Sequence, residues 1–598
     1  MENGEGEEGE YTKDGSVDLR GNPVLRSKRG GWTACTFIVV YELFERMAYY
    51  GVASNLVMYM TTKLHQGTVD AANNVTNWAG TVFLTPLIGA FVADAYLGRY
   101  WTFVAGSAVY LMGMLLLTLA VSVPALKPPP CDAGGACPRA SALQLAVYFG
   151  GLYTIALGHG GTKPNISTIG ADQFDDFHPA ERLRKLSFFN WWMFSVFLGI
   201  LFSTTVLVYL QDNVSWAVGL RPAAAAVFLA GTPRYRHKPL PPKGGSPLAM
   251  MCKVLAAAAW KWRVKVPEDP RELHELEPEH YASNRRRVVA TTSATGWSMR
   301  FLDKAAVQSA APPWALCTVT EVEETKQIAR LLPLLFTLSV PCALMAQVGT
   351  LFVKQGATLD RRVVSSSSFR VPPASLGAFV TLTMLVCVAL YDRVVVPAVR
   401  RRTKNPRGIT LLQRIGAGLL LQVVTMATTA AVENRRLSFA RSHHAVAATA
   451  GGGHELPLTI FILLPQFVLM GAADALLVPG MIEFFYDQSP ESMKSLGTAI
   501  SLTAYGAGSF LSSAILSLVQ RATASGSSST PWVANDLNAS RLDRYYAFLA
   551  ALAAANLLVF VALSCRYTYR AEFTETVDDV AGPDASRVHS EPQAPMAP

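Results

Sequence analysis

Apolar residues in this chain gather into blocks of about 20, the length a helix needs to cross a bilayer. Twelve such blocks fall at roughly 33–53, 77–97, 101–124, 143–162, 188–209, 214–231, 330–353, 374–392, 409–432, 457–480, 495–519 and 544–565. The pattern predicts an all-α, polytopic membrane protein. Block 214–231 is the weakest, because it is short and holds Arg221-Pro222. It would have to thin the bilayer or snorkel Arg221 outward.

The first block breaks its own pattern. Between Trp32 and Met60 it places Glu42, Glu45 and Arg46 among Val39, Val40, Tyr41, Leu43, Phe44, Met47 and Ala48. Each charge at bilayer depth costs roughly 2.5–3.5 kcal/mol on the insertion scale. Spacings of three and four residues put all three on one helical face. Such a cost is kept where the face lines a polar cavity, which points to a transporter. A guanidinium beside two carboxylates keeps one ionised and leaves the other able to exchange a proton. The alternative is a static ion network holding the helix in place, a task that apolar residues would do at lower cost.

Composition agrees: 51% of residues are hydrophobic and 16% charged, with mean hydropathy +0.26, which is apolar for a soluble chain. The net charge of +9 invites a nucleic-acid reading. However, the basic residues crowd into loops beside spans, and neither an aromatic platform nor a reading helix accompanies them. Nucleic acid is therefore set aside as a partner. Met1 to Gly30 has no signal-peptide h-region, so the first span itself directs insertion. Arg20, Arg26, Lys28 and Arg29 precede it and favour a cytoplasmic N-terminus. Loops 178–187 and 393–408 then fall inside as well. Sequons at Asn74, Asn213 and Asn538 fall outside, whereas one at Asn165 lies at the inner end of a span and is read as silent. Basic residues Arg361, Arg362, Arg435 and Arg436 dissent, since this topology puts them outside. Cys131 and Cys137 share an outside loop that would permit a disulfide or leave two free thiols. No cysteine or histidine set has metal-ligand spacing.

The spans divide six and six around the long basic loop 232–329. The expected organisation is a disordered cytoplasmic N-terminus (1–30), an N-terminal six-helix bundle (31–231), a cytoplasmic linker with an amphipathic helix (232–329), a C-terminal six-helix bundle (330–566) and a cytoplasmic tail (567–598). The linker helix, Pro247 to Lys265, is read either as lying on the inner membrane surface or as an ordinary solvated helix. Solute would sit between the halves near the midplane.

Several runs carry a resemblance. Glu42-Leu43-Phe44-Glu45-Arg46 matches the E-x-x-E-R signature of the proton-dependent oligopeptide transporters. Gly160-Gly161-Thr162-Lys163-Pro164-Asn165, Gly170-Ala171-Asp172-Gln173-Phe174, Ser187-Phe188-Phe189-Asn190-Trp191, Phe301-Leu302-Asp303-Lys304-Ala305-Ala306 and Glu483-Phe484-Phe485-Tyr486-Asp487-Gln488 follow in order. Together they resemble the plant nitrate and peptide transporter family, most of all its peptide-transporter-named members. The resemblance implies the major facilitator fold and proton-coupled symport of di- or tripeptides. Nitrate, plant hormones or specialised metabolites are the alternatives, and a transporter-like nutrient sensor is the alternative class.

The resemblance also implies roles. Glu42, Glu45 and Arg46 would couple protons, while Lys163 and Glu483 would bind substrate and gate through a salt bridge that latches one face shut. Tyr50, four residues after Arg46, would contact substrate, and Asp94 and Arg99 would serve the cytoplasmic gate. A snorkelling Lys163, a water-facing Glu483 and an interfacial Tyr50 are the plainer readings. Two family positions depart: Phe197 stands where peptide carriers have Asn, and Met345 where nitrate carriers have His. No cofactor is implied beyond the proton as coupling ion. No H-E-x-x-H, G-x-S-x-G or Walker A loop appears, so neither an enzyme nor an ATP-driven pump is expected. The expected partners are a small-molecule or peptide substrate and the lipid bilayer, with the chain a monomer in the plasma membrane (the vacuolar membrane being the alternative).

Overall fold

A computed structural model describes residues 11–576 apart from 13–15, 19, 27, 130–137, 176–177, 217–234, 238–246, 268–271, 276–285, 289–298, 309–311, 364–368, 404–407, 448–455, 491–492, 525–530, 568 and 570–573. The expected sixth span, together with Cys131 and Cys137, lies outside the described residues or almost wholly so. Every other expected span is helical. In chain order the long helices are α1 (Gly31–Ala53), α2 (Thr68–Val92), α3 (Gly98–Ser122), α4 (Ala142–Ala171), α5 (Pro179–Phe202), α6 (Pro247–Trp260), α7 (Val319–Met345), α8 (Gly377–Leu390), α9 (Leu411–Ala447), α10 (Leu464–Gln488), α11 (Lys494–Ala524) and α12 (Leu542–Arg566). Among the described residues, eight helical stretches are long and apolar enough to cross a membrane. Helix α1 misses that standard because of its charges.

Local chemistry sets the ends. Ser141 and Gln144 form a reciprocal capping box that starts α4. Between α2 and α3 the chain makes a π-helical turn, Ala93–Leu97, and then passes through Gly98 at φ 75°, a conformation that favours glycine. Helices α2 and α4 touch backbone to backbone: a Cβ on Gly89 would sit 1.9 Å from the Gly160 carbonyl oxygen. Where lipid supplies no hydrophobic drive between helices, such small-residue contacts hold them together.

The chain forms two compact units. The larger comprises Met1–Ser246, Leu332–Asp487 and Lys494–Arg566; the smaller comprises Pro247–Leu331, Gln488–Met493 and Tyr567–Pro598. In the smaller, α6 buries Val254, Ala257 and Ala258 against Leu302, Ala305, Ala306, Ala315 and Cys317. Lys261 donates to the carbonyls of Ala305 and Val307, and Lys326 pairs with Asp303 and Glu323. The Phe301–Ala306 run thus builds this unit's own core. Thr574–Thr576, in the expected cytoplasmic tail, pairs antiparallel with Arg286–Val288.

The segment before α1 also departs from expectation. Val17 and His237 exchange backbone hydrogen bonds of 2.8 and 2.9 Å. Arg236 is the reason for this order. Its buried guanidinium donates to both Glu181 oxygens and to the carbonyls of Arg26 and Arg29, while Gln173 brackets its backbone. A buried guanidinium needs that many acceptors, and the N-terminal segment supplies two of them. Burial pushes the neighbouring His237 imidazole down to about 4, with Arg29 adding to the effect, so this histidine is neutral at physiological pH.

At the opposite end of the larger unit, Arg436 sits fully buried inside α9. Its guanidinium grips both oxygens of Glu433 and donates to Asn538 Oδ1 at 2.6 Å. Arg436 is therefore no loop charge, which removes one dissenting residue from the topology. Asn538, only 8% exposed, has no room for the glycan its sequon allows. Replacing Arg436 with Met should cost about 3–5 kcal/mol by stranding Glu433 without its cation. Thermal denaturation of the detergent-solubilised protein would show the loss, and Glu433→Gln combined with Arg436→Met should recover part of it.

Candidate functional site

The charged face of α1 is buried, with Glu42, Glu45 and Arg46 exposed by 1%, 2% and 5%. Arg46 lies between the two carboxylates: Nε is 3.0 Å from Glu42 Oε1, and Nη2 pairs with Glu45 Oε2. Helix α5 closes one side, since a Cβ on Gly199 would meet Arg46 Cβ at 2.7 Å and the Leu43 carbonyl at 2.8 Å. The sequence placed these groups on one face; packing makes them a single ion cluster.

Helix α4 adds two further groups. His159 Nδ1 lies 3.2 Å from Glu45 Oε1. Lys163, one turn further along, is within electrostatic range of Glu42, Glu45 and Arg46. Tyr49 stacks between His159 and Trp78 at centroid distances of 5.2 and 5.7 Å, with Arg46 5.8 Å above its ring. Two carboxylates and two cations thus sum to zero charge while His159 is neutral. Adding an anionic solute group would leave the cluster one negative charge in excess, and one proton would restore the balance.

The second half contributes Asp474 on α10, which is 5% exposed with Oδ1 lacking a hydrogen-bond partner among the described residues. Tyr505 on α11 lies within electrostatic range of both Asp474 and Tyr50. It also stacks on Phe83 of α2 at 5.2 Å, so these side chains meet between the halves. Tyr50 packs edge-on against Tyr49.

Contacts between the halves include a set on the side away from the chain termini. Thr68 bonds twice to Asn535, Asn73 donates to Ser517, Lys354 donates to Thr61, and Tyr209 stacks on Phe369. On the other side, the expected Lys163–Glu483 latch is not formed. Glu483 Oε2 lies 3.7 Å from Arg414 Nη1 of its own half. Arg414 is the competitor that sequence reasoning missed.

The helical layout, the buried charge cluster and the two halves are those of a solute carrier, and the sequence comparison decides which. A model of the POT family matches residues 100–533. The chain belongs to the POT family. NRT1/PTR FAMILY 5.2 of Arabidopsis thaliana is 54% identical over 578 residues, covering 95% of this chain and 97% of the relative. NRT1/PTR FAMILY 8.3 of the same plant is 44% identical, covering 93% and 95%. Among solved structures, an auto-inhibited POT family peptide transporter superposes with TM-score 0.64 at 20% identity, covering 90% of this chain and 98% of that one. The POT family transporter PepTSo superposes at 0.59 and 19%, covering 90% and 99%. The fold is that of the major facilitator superfamily, and the protein is a multi-pass membrane transporter.

The remaining expected POT site residues fall differently. Arg99 Nη1 is 3.0 Å from Asp172 Oδ2, an ion pair between the start of α3 and the end of α4 within one half. Asp94 lies in the π-helical turn, and its side chain is outside the described residues. His159 and Asp474 were legible yet overlooked. Each is a lone ionisable residue in an apolar span, which is a functional hypothesis by default.

Proposed function

We propose that this chain is a proton-coupled symporter of di- and tripeptides working by alternating access. One observation carries the reading: two buried cations, Lys163 and Arg46, in one half and a buried carboxylate in the other, Asp474, whose Oδ1 lacks a hydrogen-bond partner among the described residues. A zwitterion satisfies both poles, with its carboxylate at the first and its ammonium at the second. Nitrate would engage only the anion pole, so peptides are favoured over it.

The cluster supplies the coupling. A solute carboxylate entering beside Lys163 and Arg46 makes the site negative, and a proton on the Glu42–Glu45 pair neutralises it. Solute and proton therefore favour each other's binding, which is what symport requires. Closure on the side of the termini would bring Lys163 to Glu483 in place of Arg414, giving a two-state element that both ligands bias. The described arrangement, joined on the opposite side, is then the state with that latch open. The reading puts the transporter in the plasma membrane as a monomer, with the proton as its coupling ion.

Uptake of labelled dialanine, nitrate and a hormone panel in oocytes, at about pH 5.5 and about pH 7.5, tests this reading. Dialanine uptake that is faster at the lower pH, with Asp474→Asn losing dialanine but not nitrate, is the expected result. Nitrate uptake without dialanine uptake would overturn the peptide assignment.

A further inference from the structure

His159 is an ionisable side chain that the coupling scheme above does not use. It is 2% exposed, with Nδ1 3.2 Å from Glu45 Oε1 and its ring stacked on Tyr49. Its place is fixed by its neighbours. A Cβ on Gly158 would lie 2.4 Å from the Tyr110 nitrogen, and one on Gly160 2.7 Å from the Thr85 carbonyl oxygen. Helix α4 is thus packed backbone to backbone against α3 and α2 on either side of the imidazole. The titratable groups around it are Glu42, Glu45, Arg46, Tyr49 and Tyr50 from α1, Tyr110 from α3 and Lys163 from α4 itself. Helix α2 brings Trp78 and Thr85 to the same region, and neither titrates.

We propose that His159 is a proton-carrying member of the cluster, passing the transported proton to and from Glu45 along the Nδ1–Oε1 contact. This rests on the symport reading and names a carrier within it. Glu45 is held by Arg46 and is a poor proton acceptor while that pair stands. The step balances with one proton. Taken up on the other ring nitrogen, it gives an imidazolium whose Nδ1–H donates to Glu45. Transfer along that bond leaves a neutral imidazole and a neutral Glu45, which releases Arg46 Nη2. Release to the opposite side runs the same transfers backwards, with no other reactant.

A merely orienting histidine needs only a donor at the Nδ1 position, which asparagine supplies, so His159→Asn separates the two roles. Two readouts apply to the full-length protein: the pH profile of labelled dialanine uptake, and the pH-induced infrared difference spectrum of the purified transporter. We expect His159→Asn to move the uptake midpoint by about one pH unit. It should also abolish an imidazole band that titrates together with the Glu45 carboxyl band, and Glu45→Gln should alter both bands. A wild-type pH profile in His159→Asn, alongside loss of proton drive in Glu45→Gln, would overturn the assignment and leave symport standing. If dialanine is not carried, the peptide reading fails and the infrared titration decides alone. No imidazole band lost on His159→Asn overturns the assignment, and a lost band that titrates with Glu45 upholds it.

Discussion

Glu45→Gln should abolish uphill dialanine uptake while leaving counterflow, in which the carrier exchanges solute without net proton movement. The amide keeps the shape of the carboxylate, and Arg46 retains Glu42 at 3.0 Å, so the fold survives the change. What disappears is the acid that gains a proton when solute arrives. Coupling free energies of this kind are typically 1–3 kcal/mol, so the proton-gradient stimulation should fall by about 5- to 150-fold. Surface expression measured on the same cells separates this from misfolding. A variant with undiminished proton stimulation would show that the cluster is only a structural ion network.

The second large effect falls on Lys163. Lys163→Ala should remove transport of every carboxylate-bearing solute, and Lys163→Arg should keep a measurable part of it. Losing one partner of a buried charge contact costs about 2–5 kcal/mol, which is on the order of 30-fold or more in affinity. In the cluster's charge balance the alanine variant also leaves two carboxylates against Arg46 alone, which further disfavours an anionic solute. Affinity measured by concentration dependence, with Arg414→Ala as a companion, distinguishes solute binding from gating. Arg414→Ala removes a competitor of Lys163 for Glu483 and should lower the exchange rate more than the affinity. Equal transport by the alanine and arginine variants would remove Lys163 from the solute site.

Much of the fold was legible because span length is a physical constraint that each segment obeys alone. The site was legible in part, for a similar reason. Glu42, Glu45 and Arg46 share a face by helical spacing, so α1 announces its polar cluster without any partner. His159 and Asp474 needed only the same reasoning, applied to single charges. What could not be read were partnerships between elements. Nothing in the sequence says that Glu483 lies beside Arg414, that Arg99 reaches Asp172, or that Arg436 is buried on Glu433. Those pairings follow from how helices rotate and pack, set by glycine contacts such as Gly89 on Gly160. The N-terminal segment is a similar case: its order comes from acceptors that a distant Arg236 requires.

The central claim is that solute and proton move together through the buried cluster. Purified transporter in liposomes loaded with a pH-sensitive dye tests it directly. Adding dialanine outside, with no imposed gradient, should acidify the lumen in step with dialanine entry, and the Glu45→Gln protein should give no acidification. Dialanine entering while the internal pH stays constant would contradict the account.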